Sequence, residues 1–174
     1  MYVTDKSIQS ANSKLKQKFV EVSRWLTING LTLSPNKSVV CSFSRSRAPL
    51  PNVLGIGDLN IPYKSAVKYL GVYLDRKLLW KDHINYLIKR TETGLNIIRA
   101  FSHQKWGADP NTCLMFYKAY IRSILDYASI LYGTAAETHF KKIDTIKNEC
   151  LRNSIGLLKS TRINVLEPKV QNRP

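Results

Sequence analysis

From Ser7 to about Asn29, apolar residues recur at Ile8, Ala11, Leu15, Phe19, Val22 and Leu26, while Lys14, Lys16 and Lys18 lie mostly off that stripe. Steps of three and four predict an amphipathic helix, and Gly30 is placed to stop it. The period then changes. Pro35 and Asn36 in "LSPNKS" punctuate a turn, and "VVCSF", Val39 to Phe43, is β-branched enough for a strand. Arg45 to Pro51 reads as a basic, proline-containing loop. In "NVLGIGDLNIPY", Gly57-Asp58 suits a hairpin turn between two short strands. "VKYLGVYLD", residues 67 to 75, is expected as a further strand interrupted by Gly71, since a glycine inside such a run marks a bulge or a point of close backbone approach. The first half is thus one helix on a small antiparallel sheet.

After Asp75 the helical period returns. Ile84, Ile88, Thr91, Leu95 and Ile98 predict a helix from about Lys81 to Ser102, and Asp109-Pro110 is a cap and first-turn pair opening a second that runs toward Asp126. A third begins near Thr138 and carries Phe140, Ile143, Ile146, Cys150 and Leu151 up to Gly156. The fold class expected is α+β, a helix-on-sheet piece followed by a helical bundle. From Leu157 onward the period is lost, and no internal repeat is visible.

Charge narrows what such a fold is for. Lys plus Arg number 27 against 12 Asp plus Glu, a formal net charge of +15, with 44% hydrophobic residues. That apolar fraction is normal for a globular chain and argues against disorder. The excess is dispersed in pairs such as Arg76-Lys77, Lys89-Arg90 and Lys141-Lys142. A folded surface this basic attracts polyanions, nucleic acid before an acidic membrane. No segment combines a basic and a strongly apolar face, and no run approaches the ~20 apolar residues of a membrane span. Cys41, Cys113 and Cys150 are odd in number and scattered, which fits three buried small hydrophobes in a reducing compartment rather than disulfides or zinc. His83, His103 and His139 are equally scattered and are expected at the surface or at helix caps. The start "MYVTDKS" has no secretory pattern, so an intracellular location, nuclear or cytoplasmic, is expected.

"WLTINGLTLSPNKS", "IPYKSAVKYLGVYLD", "LLWKDHINYLIKR" and "WGADPNTCLMFYKAYIRSILDYASILYG", in that order, resemble the reverse transcriptases of insect non-LTR retrotransposons of the jockey type. The resemblance runs from Tyr2 to about Glu167. It implies residues 1–78 as the C-terminal part of the palm with a primer-grip-like hairpin, 79–158 as a helical thumb, and 159–174 as a truncated linker. In that family the "KYLG" strand resembles the primer grip. Gly71 would then admit the sugar-phosphate of the primer end, with Lys68 adding charge and Tyr69 and Leu70 flanking it. Lys37 matches the position near which polymerases keep a lysine beside the incoming nucleotide, as a proton donor to the departing pyrophosphate or as a neutraliser of phosphate charge. Lys81, Lys89, Arg90 and Arg99 on the first thumb helix would meet phosphates of an RNA/DNA primer-template duplex.

The family's nucleotidyl transfer needs two magnesium ions held by carboxylates, including an adjacent aspartate pair. No adjacent Asp pair occurs in the 174 residues. The resemblance would put that box a few residues before Tyr2, so no cofactor is expected on this chain, and Asp5, Asp58 and Asp75 are expected as turn or surface carboxylates. Three functions follow. One is a polymerase segment, RNA-directed DNA polymerase by family but inactive alone. The second is an inert nucleic-acid-binding module derived from such an element. The third is a basic protein-interaction domain.

Overall fold

A computed structural model describes residues 1–47, 49–57, 59–102, 107–158 and 160–162. It divides into two compact units, Met1–Val67 and Lys68–Pro174. The boundary falls within a strand, Ala66–Tyr69, whereas the change of periodicity in the sequence comes after Asp75.

The first unit opens with α1, Ile8–Ile28. Asp5, just ahead of it, accepts from the Lys6 backbone N–H at 2.6 Å, from Ser10 Oγ at 2.6 Å and from Lys14 Nζ at 2.8 Å. The Lys14 and Ser10 hydrogen bonds hold its carboxyl well below the usual carboxylate range. Asp5 is thus the turn carboxylate expected. Along the predicted stripe Phe19 is fully buried, Ile8, Ala11, Leu15 and Leu26 are half-buried, and Val22 is exposed. A single 3₁₀ turn, Pro35–Lys37, follows. Then β1, Val53–Ile56, pairs antiparallel with β2, Leu59–Pro62, in a hairpin whose turn includes Gly57 at φ 58°. Leu54 and Ile61, directly opposite each other, join Phe19 as the buried residues of this unit. Tyr63 donates a hydrogen bond to Asn12 of α1.

The strand expected at Val39 to Phe43 is reduced to one parallel bridge, Val40 to Tyr63. Val40 N–H donates to the Pro62 carbonyl at 3.0 Å, and Lys64 N–H donates to the Val40 carbonyl at 2.9 Å. Extension toward Ser38 would need the next N–H from Pro62, which has none. Asp58 lies outside the described residues.

"VKYLGVYLD" is not one strand but a hairpin. β3, Ala66–Tyr69, carries the chain from the first unit into the second and pairs with β4, Val72–Asp75. The two-residue turn between them holds Leu70 at φ 46° and Gly71 at φ 83°. Positive φ at both central positions is the turn that matches the twist of paired strands, so Gly71 is a turn residue and not a bulge. The α+β class holds, with two separate two-stranded hairpins in place of one sheet.

The core of the second unit is helical. Asp75 closes the approach to α2, Lys81–Phe101, by accepting from the backbone N–H of Leu79 at 3.0 Å and of Trp80 at 2.8 Å. Asp109 caps the next helix, accepting from Asn111 N–H at 2.9 Å with Pro110 in the first turn. This segment starts as α3, Pro110–Phe116, widens into a π-helical turn over Tyr117–Arg122, and resumes as α4, Ser123–Asp126. Ala128, at φ 57°, breaks it before the short α5, Ser129–Tyr132. The last helix, α6, Glu137–Ile155, ends at Gly156 in the left-handed conformation favoured at a helix C-terminus. Ile84, Leu87, Leu95 and Ile98 of α2 pack with Leu114, Ile121, Ile143, Cys150 and Leu151 in one core.

Gly94 makes that packing possible, because a Cβ there would stand 2.8 Å from both Ile121 and Tyr120. His83 is fully buried, not at the surface as expected. Its ring lies 5.2 Å from that of Tyr132 and 6.3 Å from that of Tyr86, and its Nδ1 accepts from Tyr73 N–H at 3.4 Å. Cys113 and Cys150 are buried free thiols and Cys41 is half-buried. His103 and all of 159–174 except residues 160–162 lie outside the described residues.

Candidate nucleic-acid interface

Lys37 ends the 3₁₀ turn of the first unit and is exposed. Ser34 sets that turn, its carbonyl accepting from Lys37 N–H at 3.2 Å and from Ser38 Oγ at 2.8 Å. The other predicted site residues all belong to the second unit.

There the β3–β4 turn is presented outward, with Tyr69 64% and Leu70 73% exposed. Two large apolar side chains in solvent at a turn tip are free to contact a ligand, whereas Gly71 is braced from behind. The Tyr127 hydroxyl donates to the Leu70 carbonyl at 2.6 Å, and a Cβ on Gly71 would meet Tyr127 Cε1 at 3.3 Å. Behind the turn, Gly71, Tyr86, Leu87, Arg90, Ile124 and Tyr127 line much of an open groove of ≈ 390 Å³.

The four basic residues expected as a phosphate-contacting set on α2 do not share one face. Lys81 and Arg99 are about five turns apart and so on the same side, Arg90 is about half a turn out of phase with both, and Lys89 projects between them, opposite the buried stripe. Arg99 is also engaged, with Nη2 2.6 Å from Glu149 Oε1 and Nη1 donating to Asn96 at 2.8 Å. Arg90 lies instead on the flank that carries Tyr86, toward Lys68. Its Nη1 donates to Tyr86 Oη at 3.2 Å, and Lys68 Nζ approaches the same oxygen to 3.3 Å. Those contacts, Lys68 first, lower the phenol's pKa from its ordinary value against the raising effect of desolvation.

Tyr86 and Tyr127 were not singled out from sequence. The i, i+4 spacing of Tyr86 and Arg90 was the available sign for the first. Nothing local points from Tyr127 to Leu70, 57 residues earlier. Among the described residues no three His, Cys, Asp or Glu side chains converge to hold a metal ion, and no helix is long and apolar enough to cross a membrane.

No family model matches the chain, and no solved structure matches it. Among curated proteins it is 28% identical over 157 residues to the RNA-directed DNA polymerase from mobile element jockey of Drosophila melanogaster, covering 87% of this chain and 16% of that protein. The corresponding jockey protein of Drosophila funebris is 26% identical over 149 residues, covering 86% and 16%. The probable RNA-directed DNA polymerase from transposon X-element of Drosophila melanogaster is 28% identical over 139 residues, covering 77% and 15%. The chain spans about a sixth of the length of these relatives. The motifs around "KYLG" and the matches to these relatives agree: the chain is similar to a segment of the RNA-directed DNA polymerases of jockey and related mobile elements.

Proposed function

We propose that this chain supplies primer-template contacts to a reverse transcriptase and performs no nucleotidyl transfer by itself. The observation that carries the proposal is the β3–β4 turn, a two-residue tip of exposed Leu70 and half-buried Gly71 with Lys68 at its base. A turn of this kind can lay its backbone against a sugar-phosphate chain, because glycine takes the positive φ of the tip and lets Tyr127 brace it from behind. Such contacts position a duplex without reading its sequence. The net charge of +15 supports a polyanionic partner, the names of the polymerase relatives favour a nucleic acid, and an RNA/DNA duplex is the partner proposed. Lys81 and Lys89 add outward charge along α2. Arg99, held by Glu149, contributes less free charge than its place on the helix suggests. Lys37 is proposed to neutralise nucleotide phosphate in the intact polymerase.

Catalytic carboxylates would come from elsewhere in the full polymerase, since no adjacent Asp pair occurs here. Fluorescence anisotropy with a primer-template hybrid tests the proposal. Binding with little sequence preference is expected, with log affinity falling against log salt at a slope of roughly −4 to −5. A primed template with magnesium and nucleotides should show no extension. Salt-independent binding, or none at low salt, would contradict the proposal.

A further inference from the structure

Lys68 and Arg90 bring two positive charges to one neutral oxygen, Tyr86 Oη. Lys68 Nζ also stands 4.5 Å from the centroid of the Tyr86 ring and 5.5 Å from that of Tyr73. Both cations are exposed, and among the described residues neither forms an ion pair, although Lys14, Lys18, Arg99, Arg122 and Lys141 all do. A phenol oxygen and two ring faces offset the repulsion between such charges only in part. What the cluster lacks is an anion.

The geometry is also pre-arranged to hold one. Tyr86 is flanked by the rings of Tyr73, at 5.0 Å, and His83, at 6.3 Å, which fix its orientation. Its oxygen accepts from both cations, leaving its own O–H to donate outward. A guanidinium fork, an ammonium and a phenol O–H converge from two elements, β3 and α2, beside the groove that Arg90 and Tyr86 border. A planar carboxylate offers two oxygens, whereas a tetrahedral phosphate can give two to the fork and others to the remaining donors.

We infer that Lys68, Tyr86 and Arg90 form a discrete single-phosphate site next to the β3–β4 turn, with the Tyr86 hydroxyl as its uncharged third donor. The inference rests on the proposed nucleic-acid role for the source of the phosphate, a backbone phosphodiester or a terminal phosphate. A terminal phosphate presents three non-bridging oxygens to these donors and a backbone phosphodiester two, each able to accept more than one hydrogen bond.

The test uses the whole chain. Inorganic phosphate is titrated while the NMR signals of Tyr86 and Arg90 are followed, and binding is then measured to an oligonucleotide hybrid with and without a 5′-terminal phosphate. Tyr86→Phe keeps the ring stack and both charges, and Arg90→Lys keeps the charge but removes the fork. Each variant should weaken phosphate and hybrid binding about tenfold while leaving the slope against salt unchanged, because no charge is lost. Lys147→Ala, on α6, serves as the control and should leave the Tyr86 and Arg90 response intact. Loss confined to the 5′-phosphorylated hybrid assigns the site to a terminal phosphate, and equal loss on both hybrids assigns it to the backbone. Hybrid binding that is unchanged in both folded variants overturns the site and leaves the duplex proposal standing. Phosphate binding at Tyr86 without any hybrid binding does the reverse.

Discussion

The Tyr127 hydroxyl reaches across 57 residues of sequence to the Leu70 carbonyl, at 2.6 Å. It thereby ties the tip of the β3–β4 hairpin to the end of α4. Leu70 is held at φ 46°, a conformation that non-glycine residues adopt at a cost, so the tie also supports a turn that would otherwise relax. Tyr127→Phe keeps the ring against Gly71 and removes the bond. It should cost about 0.5–1.5 kcal/mol and raise amide exchange at Leu70 and Gly71 selectively, as read by NMR. Uniform exchange across the helices instead would show that the tie does not act locally.

Gly71 is constrained twice, by φ 83° and by Tyr127 Cε1 at 3.3 Å from any Cβ. Gly71→Val should strain the turn by more than about 1 kcal/mol. In the proposed role it should also erase any preference for a recessed 3′ end over a blunt duplex while barely changing the salt slope, since it pushes the tip off its Tyr127 brace without removing charge. An intact preference in a protein whose circular dichroism is unchanged would separate this turn from end recognition.

Adding one methyl at Gly94 is expected to destabilise the second unit despite the better helix propensity of alanine. The propensity gain is about 1 kcal/mol, and Tyr120, part-exposed, can swing away. Ile121 is fully buried and cannot. Overpacking of about 1–3 kcal/mol should therefore win, and Gly94→Ala should unfold at lower urea concentration with an unchanged m-value.

Burial lowers the His83 pKa from its ordinary 6.5, so the folded imidazole is neutral where the unfolded one begins to charge. Its contribution is complete above about pH 6.5 and is lost as pH falls from there through the lowered folded value. Nε2 is buried without a hydrogen-bond partner, so the ring gains little there by keeping its nitrogen. His83→Phe should remove that part of the stability slope below pH 6.5 in urea titrations while keeping the ring contacts to Trp80, Tyr86 and Tyr132. A slope identical to that of the parent would place the titration on another group.

Hydrogen exchange should separate the two units. Of the fully buried hydrophobic residues described, only Phe19, Leu54 and Ile61 belong to the first, while Trp25, Ile28, Phe43 and Val53 there are exposed. Amides of β1 and β2 should exchange before those of α2 and α6. The opposite order would mean that the hairpin and α1 are stabilised by more than this small core.

Helices were legible in the sequence because their signals are local. The α1 stripe, the Asp109-Pro110 start and the Gly156 stop each appear where periodicity and capping chemistry put them. The strands were less so. Val39 to Phe43 has strand composition, but its ladder depends on a partner, and the partner presents Pro62. Gly71 carried the same glycine signal whether it sat in a bulge or a turn, and the turn needed Leu70, a branched residue, to accept positive φ. At the candidate interface, single basic residues could be named from composition. Their grouping could not, because Lys68 meets Arg90 only through a tyrosine on another element, and Arg99 is drawn to Glu149 across the helix pair.

The π-helical turn at Tyr117–Arg122 acts as a phase shifter. Each residue of an α-helix advances the side-chain direction by about 100°, and a wide turn inserts an extra step between the Pro110 start and whatever follows. Regularising it to α geometry at constant length would advance everything after it by about one such step and turn Tyr127 away from Leu70, whereas deleting one residue within the wide turn would close it and leave Tyr127 facing the tip. The reach of one hydroxyl to the hairpin tip is thus set by an irregularity five to ten residues upstream, and a one-residue insertion between Asp109 and Tyr127 that no further wide turn absorbs should act on the tip without touching it.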